Sequence, residues 1–114
     1  MTNLWEETIK ILSEYGKTFD DVLFIQGDNF EITKDNFEIV AKHTDYDSGF
    51  GAQLVAMDLV LVGKDWWIER DEYDGSEWWD FKAIPLKKDE IKNITRLAGG
   101  RWDILMGISE EVEE

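Results

Sequence analysis

Two strands that meet at a tight turn constrain the fold of this chain more than any other feature. The runs Trp66–Tyr73 and Ser76–Ala83 have eight residues each and flank Asp74-Gly75. Asp-Gly is a preferred pair for a type I′ turn because both central residues need positive φ, and this turn joins the strands of a two-residue hairpin. The sequence therefore predicts an antiparallel pair with Tyr73 opposite Ser76.

This register divides the hairpin into two faces, because side chains alternate along a strand. The inner face collects large apolar side chains and is predicted to look into the core: Trp66, Ile68, Arg70, Glu72, Glu77, Trp79, Phe81 and Ala83. The outer face mixes aromatic and acidic side chains: Trp67, Glu69, Asp71, Tyr73, Ser76, Trp78, Asp80 and Lys82. Two interpretations of the outer face stay open. Either a helix or loop covers Trp67 and Trp78 and makes them core, or the face is an exposed interface.

Hydrophobic periodicity predicts the elements outside the hairpin. Residues 3–15 carry apolar side chains at helical spacing, with Thr2 or Asn3 as the cap and Gly16 as the stop. Helical spacing also predicts a second helix at 87–98, and residues 101–108 fit either a strand or a helix. The remaining predicted strands are 22–26, 30–33, 37–43 and 54–62.

Together these elements predict an α+β fold. We expect an antiparallel sheet of about five strands, a common sheet size, with the N-terminal helix and a second, shorter helix packed on it. The 114 residues are the amount of chain that one domain needs, so residues 1–114 are predicted to form a single domain. The acidic tail at 109–114 is expected to fray.

The charge balance narrows the choice of partner. The chain has 12 Lys and Arg against 26 Asp and Glu, a formal net charge of −14. An excess of this size repels phosphate and anionic lipid, so direct binding to nucleic acid or to a membrane surface is not expected. The same field attracts basic proteins. Residues 81–101, with 2 acidic and 6 basic side chains, are interpreted as a salt-bridged helix.

Catalysis and metal binding have few residues to use. The chain has no Cys, and His43 is its only histidine, which excludes thiolate chemistry and a histidine-rich metal site. No serine lies in a nucleophile-elbow pattern, and no glycine loop has the spacing of a phosphate-binding loop. We expect a cytoplasmic protein that is not an enzyme and that has no metal or cofactor.

The hairpin supplies the candidate site. Carboxylates at positions i and i+2 of a strand stand about 6.6 Å apart, since each residue rises roughly 3.3 Å. A row of negative charge at such spacing can occupy a groove built for a phosphate backbone, and Trp and Tyr are the residues that dominate interface energetics. The candidate charge row is Glu69, Asp71, Glu72, Asp74, Glu77 and Asp80, and the candidate anchors are Trp67, Tyr73 and Trp78.

The run Glu-Tyr-Asp-Gly-Ser-Glu-Trp-Trp-Asp-Phe at 72–81, in a compact acidic chain with a leading amphipathic helix, resembles small proteins of Gram-positive phages and mobile elements. Anti-CRISPR proteins are drawn from this group. The resemblance implies an antagonist of a host defence nuclease, such as a type II RNA-guided nuclease, acting in the cytoplasm of the host bacterium. Such nucleases hold nucleic acid in positively charged channels that an acidic mimic can occupy. The resemblance carries over no catalytic residue.

Two other functions stay open. The first is an acidic adaptor domain, homodimeric through the tryptophan-rich outer face, whose charge serves solubility. The second is a small enzyme that uses carboxylates in a tryptophan-lined pocket, as carbohydrate-active proteins do.

Overall fold

The computed structural model describes residues 1–49 and 51–110, with side chains up to residue 107. In chain order its elements are β1 (Thr2–Asn3), α1 (Leu4–Glu14), a 3₁₀ turn (Phe19–Asp21), β2 (Phe24–Gln26), β3 (Glu31–Ile32), α2 (Lys34–Lys42), β4 (Asp45–Tyr46), β5 (Val60–Val62), β6 (Trp66–Tyr73), β7 (Ser76–Ala83) and α3 (Leu105–Glu110). Five strands form an antiparallel sheet in the order β3-β2-β5-β6-β7, and β1 pairs with β4. The α+β fold with an N-terminal helix and a second, shorter helix is confirmed.

The hairpin of β6 and β7 has the predicted register. Tyr73 pairs with Ser76 across the turn, and the pairing continues to the far end of both strands. Asp74 has φ of 52° and Gly75 has φ of 88°, the positive values that a type I′ turn requires. The inner face enters the core as predicted, because Trp66, Ile68 and Trp79 are buried there.

The predicted N-terminal helix is α1, which packs on the inner face. The Asn3 side chain accepts a hydrogen bond from the Glu6 N–H at 3.0 Å and caps the helix. Leu4, Thr8 and Leu12 recur every four residues and are all buried. The Thr8 hydroxyl donates to the Leu4 carbonyl at 2.7 Å and accepts from Trp79 Nε1 at 3.0 Å, so the one buried polar group of α1 is satisfied.

The second helix lies elsewhere than predicted. The predicted strand at 37–43 is wrong, since these residues belong to α2. The Thr33 side chain accepts from the Asn36 N–H at 3.0 Å and starts the helix, and Lys42 Nζ lies 2.6 Å from Glu38 Oε2 one turn earlier. Phe37 and Ala41, four residues apart, are the buried positions, so the apolar run follows the helical period.

Two further predictions are wrong. The strand predicted at 54–62 is limited to β5; the residues before it form a loop, in which Asp58 accepts the Asp28 N–H at 2.7 Å. The helix predicted at 87–98 is absent and no helix or strand occurs there. Ile91 and Leu97 are 85% and 77% exposed, so the residues at helical spacing have no packing surface, and isolated helices of this length are marginal in water. Residues 105–110, within and just beyond the ambiguous 101–108, form α3.

The chain divides into two compact units, Met1–Ile84 and Pro85–Glu114. The first contains the sheet, α1 and α2, and the second contains α3. This division does not test whether residues 1–114 form a single domain, which stays a prediction. Of the acidic tail predicted to fray, residues 111–114 lie outside the described residues. No helix in the described part of the chain has both the length and the apolar character that crossing a bilayer requires.

Candidate functional site

The outer face of the hairpin is open. Asp71, Tyr73 and Lys82 are exposed, and the other side chains of this face are only partly buried: Trp67, Glu69, Ser76, Trp78 and Asp80. The core lies on the opposite, inner face, where α1 packs. Trp67 and Trp78 are therefore half-buried side chains of a surface rather than part of a second core.

Each tryptophan of the outer face is tied to a carboxylate on its own strand. Trp67 Nε1 donates to Glu69 Oε1 at 2.7 Å, and Trp78 Nε1 donates to Asp80 Oδ1 at 3.0 Å. Residues i and i+2 of a strand share a face, which is why the same pairing arises on β6 and on β7. The hydrogen bonds orient both indoles along their strands and hold both carboxylates in place. This face therefore presents charge and aromatic surface in a fixed arrangement.

Asp71 and Asp80 lie diagonally across the strand pair, one on each strand. A hydrogen bond between their side chains, followed by partial burial, raises the pKa of Asp80, and the same hydrogen bond lowers the pKa of Asp71. Two carboxyl groups that share a proton titrate as a pair. The Lys82 ammonium lowers both pKa values and favours the ionised forms. The negative charge of this part of the face is thus shared between two strands.

The tip of the hairpin carries two more acidic side chains of the predicted row. Glu72 and Asp74 are exposed, and Tyr73 between them is 76% exposed. The Glu72 N–H donates to Asp71 Oδ1 at 2.8 Å, which fixes the Asp71 side chain against the backbone. The structure thus brings Glu69, Asp71 and Asp80 together on the outer face. Asp74 lies in the turn, and Glu72 lies at the tip on the inner side, opposite Glu77.

Glu77 does not join this row. It lies on the inner face with 4% of its surface exposed, and its Oε1 is 2.8 Å from Arg70 Nη2. Its carboxylate also accepts the N–H groups of Leu54 at 2.6 Å and Val55 at 3.3 Å. A carboxylate that is buried and bonded in this way has no charge to offer a partner. The candidate row therefore contains five carboxylates that reach solvent, and Glu77 has a structural part.

Arg70 is the centre of a buried polar network that sequence reasoning missed. Its guanidinium contacts Glu77, Glu7 Oε1 at 3.3 Å and the Tyr46 hydroxyl at 2.8 Å, and it lies 4.7 Å from the centre of the Trp79 ring. Burial would lower the pKa of Arg70, but the hydrogen bonds with Glu77 and Tyr46 and the charge of Glu7 outweigh it and raise that pKa. Burial and a hydrogen bond to Glu7 raise the pKa of Tyr46. The sequence did contain one signal for this network, because the predicted register already placed Arg70 and Glu77 on the inner face.

The structure also has an apolar cleft, which includes residues that hydrogen-bond to Glu77 and Arg70 on the inner face of the hairpin. The cleft has a volume of about 300 Å³ and opens between α2 and the loop that precedes β5. Its lining residues are Leu4, Ile32, Asn36, Phe37, Val40, Ala41, Thr44, Tyr46, Leu54, Val55, Ala56 and Leu59. Among the described residues its lining has no charged side chain, and its polar members are Asn36, Thr44 and Tyr46.

Among the described side chains, which are those of residues 1–49 and 51–107, no group of three or more His, Asp or Glu is placed to hold a metal ion. No protein-family model, no curated protein and no solved structure matches this chain. Function is therefore inferred from the geometry of the hairpin and from the charge of the chain.

Proposed function

We propose that this protein is a non-enzymatic inhibitor that presents the outer face of its hairpin to a basic, nucleic-acid-binding surface of a host defence nuclease. The observation that carries the proposal is the pair of indole–carboxylate units, one on each strand, on a face that is open to solvent. Carboxylates imitate phosphates in charge, and the indoles offer flat surfaces on which arginine side chains stack.

The distribution of charge supports this choice of partner. Residues 1–84 contain 19 acidic and 7 basic side chains, a net charge of −12. Such a field accelerates the approach of a basic surface and repels nucleic acid itself. Channels that hold a guide–target duplex are positively charged along their length, so the proposed target class is a type II RNA-guided nuclease. The chain would then act as an anti-CRISPR protein of a phage or mobile element, in the cytoplasm of the host.

The fixed geometry of the face supports binding beyond charge. The indole N–H groups hold Glu69 and Asp80 in place before a partner arrives, and Asp71 is held by a backbone N–H. Side chains that are ordered in advance lose less conformational entropy on binding. Tyr73 and Trp78 supply apolar area close to the charges, as interface anchors do.

The test compares two variants with the same change in net charge. Asp71→Lys with Glu72→Lys reverses the charge of two exposed residues of the hairpin, whereas Glu14→Lys with Asp20→Lys reverses two exposed residues outside it. Asp74 is left unchanged because its φ of 52° disfavours lysine. The assay is cleavage of DNA by a purified type II RNA-guided nuclease with and without the protein, together with binding to that nuclease at about 0.1 M and about 1 M salt.

We expect the wild type to bind the nuclease, to be displaced by DNA and by high salt, and to block cleavage. The hairpin variant is expected to bind at least about tenfold more weakly than the control variant, because the lost contacts are local. Equal loss in both variants would mean that net charge alone acts. No inhibition across a panel of such nucleases would contradict the proposed target class, and no salt-sensitive basic partner at all would contradict mimicry.

The adaptor alternative has one observation in its favour, namely that Trp67 and Trp78 retain exposed surface on the same open face. If this face forms a homodimer, the mass in light scattering rises with concentration and Trp67→Ala abolishes the rise. A protein that stays monomeric through this face and inhibits a nuclease contradicts the alternative.

A further inference from the structure

β7 is the last strand of the five-stranded sheet, and one of its edges is unoccupied by any strand of the described residues. In a two-residue hairpin the residues flanking the turn form a hydrogen-bonded pair, and such pairs then alternate along the strands. Trp78, Asp80 and Lys82 therefore bond to β6. The backbone groups of Trp79, Phe81 and Ala83 point away from β6. The backbone groups of Glu77 also point away from β6, and its N–H donates to the Ser48 carbonyl at 2.8 Å.

We propose that two copies of this chain associate through this edge. The β7 strands pair antiparallel about a two-fold axis at Phe81, which joins the two sheets into one continuous sheet. In this register Phe81 faces Phe81 of the second copy, and Trp79 faces Ala83 of the second copy. These are the residues whose backbone groups point outward, so each pair can exchange both of its backbone hydrogen bonds. Pairing through an exposed strand edge is a general mode of protein association.

Charge complementarity selects this register. With the axis at Phe81, Asp80 lies directly opposite Lys82 of the second copy, and Lys82 lies opposite its Asp80. Both pairs are non-hydrogen-bonded pairs, whose Cα atoms are only about 4.5 Å apart, so the side chains meet closely. Moving the axis by one residue places Asp80 against Asp80 or Lys82 against Lys82, and like charges directly opposite are destabilising. An axis at Trp79 would pair the backbone of Glu77 with that of Phe81 of the second copy, but the Glu77 N–H already donates to the Ser48 carbonyl.

Apolar contacts extend the match on both sides of the sheet. On the outer face Trp78 falls opposite Ile84 of the second copy, and Ile84 is 57% exposed in the single chain. The Ile84 N–H bonds to the Asp65 carbonyl at 2.9 Å, so the ladder of the hairpin reaches this residue. On the inner face Tyr15 stacks on Phe81 at 4.1 Å between ring centroids. The two Tyr15–Phe81 stacks would then meet at the axis.

The expected association is weak and has an unusual dependence on salt. A contact along one strand edge is small compared with the roughly 1,200–2,000 Å² of stable interfaces, so we expect a dissociation constant between about 10 µM and 1 mM. Each copy carries a net charge of −14, which opposes association over long distances. Salt screens this repulsion more than it screens a pair in contact. Dimerisation should therefore be stronger at about 0.5 M salt than at about 0.05 M.

The test is sedimentation equilibrium of the full chain from about 5 µM to 1 mM. Lys82→Glu places an acid opposite Asp80 at both symmetric positions, and we expect it to weaken the dimer by roughly tenfold or more. The exchange of charges in Asp80→Lys with Lys82→Asp restores opposite signs across the axis and should restore most of the affinity. Lys10→Glu, an exposed change of the same charge on α1, is the matched control.

A backbone variant makes the test independent of charge. Ala83→Pro removes an N–H that points away from β6, so the hairpin ladder keeps its bonds while the edge loses a donor; proline is tolerated at such positions. We expect the circular dichroism spectrum to be unchanged and the dimer to weaken. A chain that stays monomeric at 1 mM in high salt overturns the proposal. A dimer that resists Lys82→Glu and Ala83→Pro, or that the charge exchange does not rescue, overturns the edge and its register.

This inference does not depend on the proposed function. Nuclease binding should weaken with salt, whereas self-association should strengthen, so the failure of one is visible without the other. In a continuous sheet the side-chain alternation runs through the new pair, and both outer faces lie on the same side. The dimer would thereby present two acidic hairpin faces next to each other.

Discussion

Replacement of Glu77 by alanine tests the division between buried and exposed acidic residues in the hairpin. The change removes the carboxylate that lies 2.8 Å from Arg70 Nη2 and accepts the Leu54 N–H at 2.6 Å. Arg70 stays buried, with Glu7 Oε1 at 3.3 Å as its remaining counter-charge. The N–H groups of Leu54 and Val55 lose the acceptor that holds their loop against the sheet.

The expected loss of stability is large. Removing one member of a buried ion pair costs about 3–5 kcal/mol because it leaves the other charge uncompensated. Glu7 remains and moves this term towards its lower end, about 3 kcal/mol, and the Val55 N–H, the one of the two in a buried hydrogen bond, adds about 1 kcal/mol when it loses its acceptor. We therefore expect Glu77→Ala to lower the free energy of unfolding by about 4 kcal/mol. Since single domains have about 5–15 kcal/mol in total, this is about a quarter of the stability or more.

Urea unfolding followed by the fluorescence of the six tryptophans measures the loss. Glu72→Ala is the matched control, since Glu72 lies opposite Glu77 in the hairpin but is exposed, and its removal should change stability by no more than about 0.5 kcal/mol. A loss below about 1 kcal/mol for Glu77→Ala, or equal losses for the two variants, would refute the reasoning from burial.

Two other predictions concern the outer face and the turn. Because the pKa of Asp80 lies above the ordinary aspartate value through its hydrogen bond with Asp71, Asp71→Asn should lower it, which a carboxyl NMR titration measures; an unchanged Asp80 pKa would contradict the pairing. Between the ordinary and the raised pKa the folded chain keeps a proton that the unfolded chain releases, so the Asp80 contribution to stability falls as pH rises through this window. Gly75→Ala should lower stability by about 1–3 kcal/mol in thermal unfolding, which is more than the loss for Gly16→Ala. Both glycines have positive φ, but a Cβ at Gly75 would lie 3.1 Å from the Gly51 carbonyl oxygen, whereas a Cβ at Gly16 would meet nothing within 4 Å. Equal losses would show that the contact has no effect.

The elements that the sequence predicted correctly are those whose signals are local and agree with one another. The hairpin has a turn pair that demands positive φ, and the register set by this turn places Trp66, Ile68 and Trp79 on one face. Helix α1 has a cap, a period and a stop, and its three buried residues, Leu4, Thr8 and Leu12, follow that period. In both elements every local feature favours the same structure, so tertiary contacts had nothing to override.

The predictions failed where one pattern fitted two structures. The largely apolar run at 37–41 is short enough to fit a strand as well as a helix. The Thr33 cap before it and the Glu38–Lys42 ion pair favour the helix. At 87–98 the period is helical but no described surface covers it, and helical spacing alone does not stabilise a helix. The sequence could not predict the hydrogen-bond partners of Glu77, because Leu54 and Val55 are 23 and 22 residues away along the chain.

Acidic side chains have different roles on the two faces of the hairpin. On the inner face, Glu77 gives its charge to Arg70 and its remaining lone pairs to backbone N–H groups, so nothing is left for a partner. On the outer face, Glu69 and Asp80 each accept one indole N–H and are only partly buried, and Asp71 is exposed. A scan of single carboxylate-to-amide changes should therefore separate into two groups. Glu77→Gln would lower stability and affect binding only through folding. Asp71→Asn would weaken the partner complex and leave the unfolding transition in place, because Asp71 is exposed and an exposed carboxylate contributes little to stability on its own.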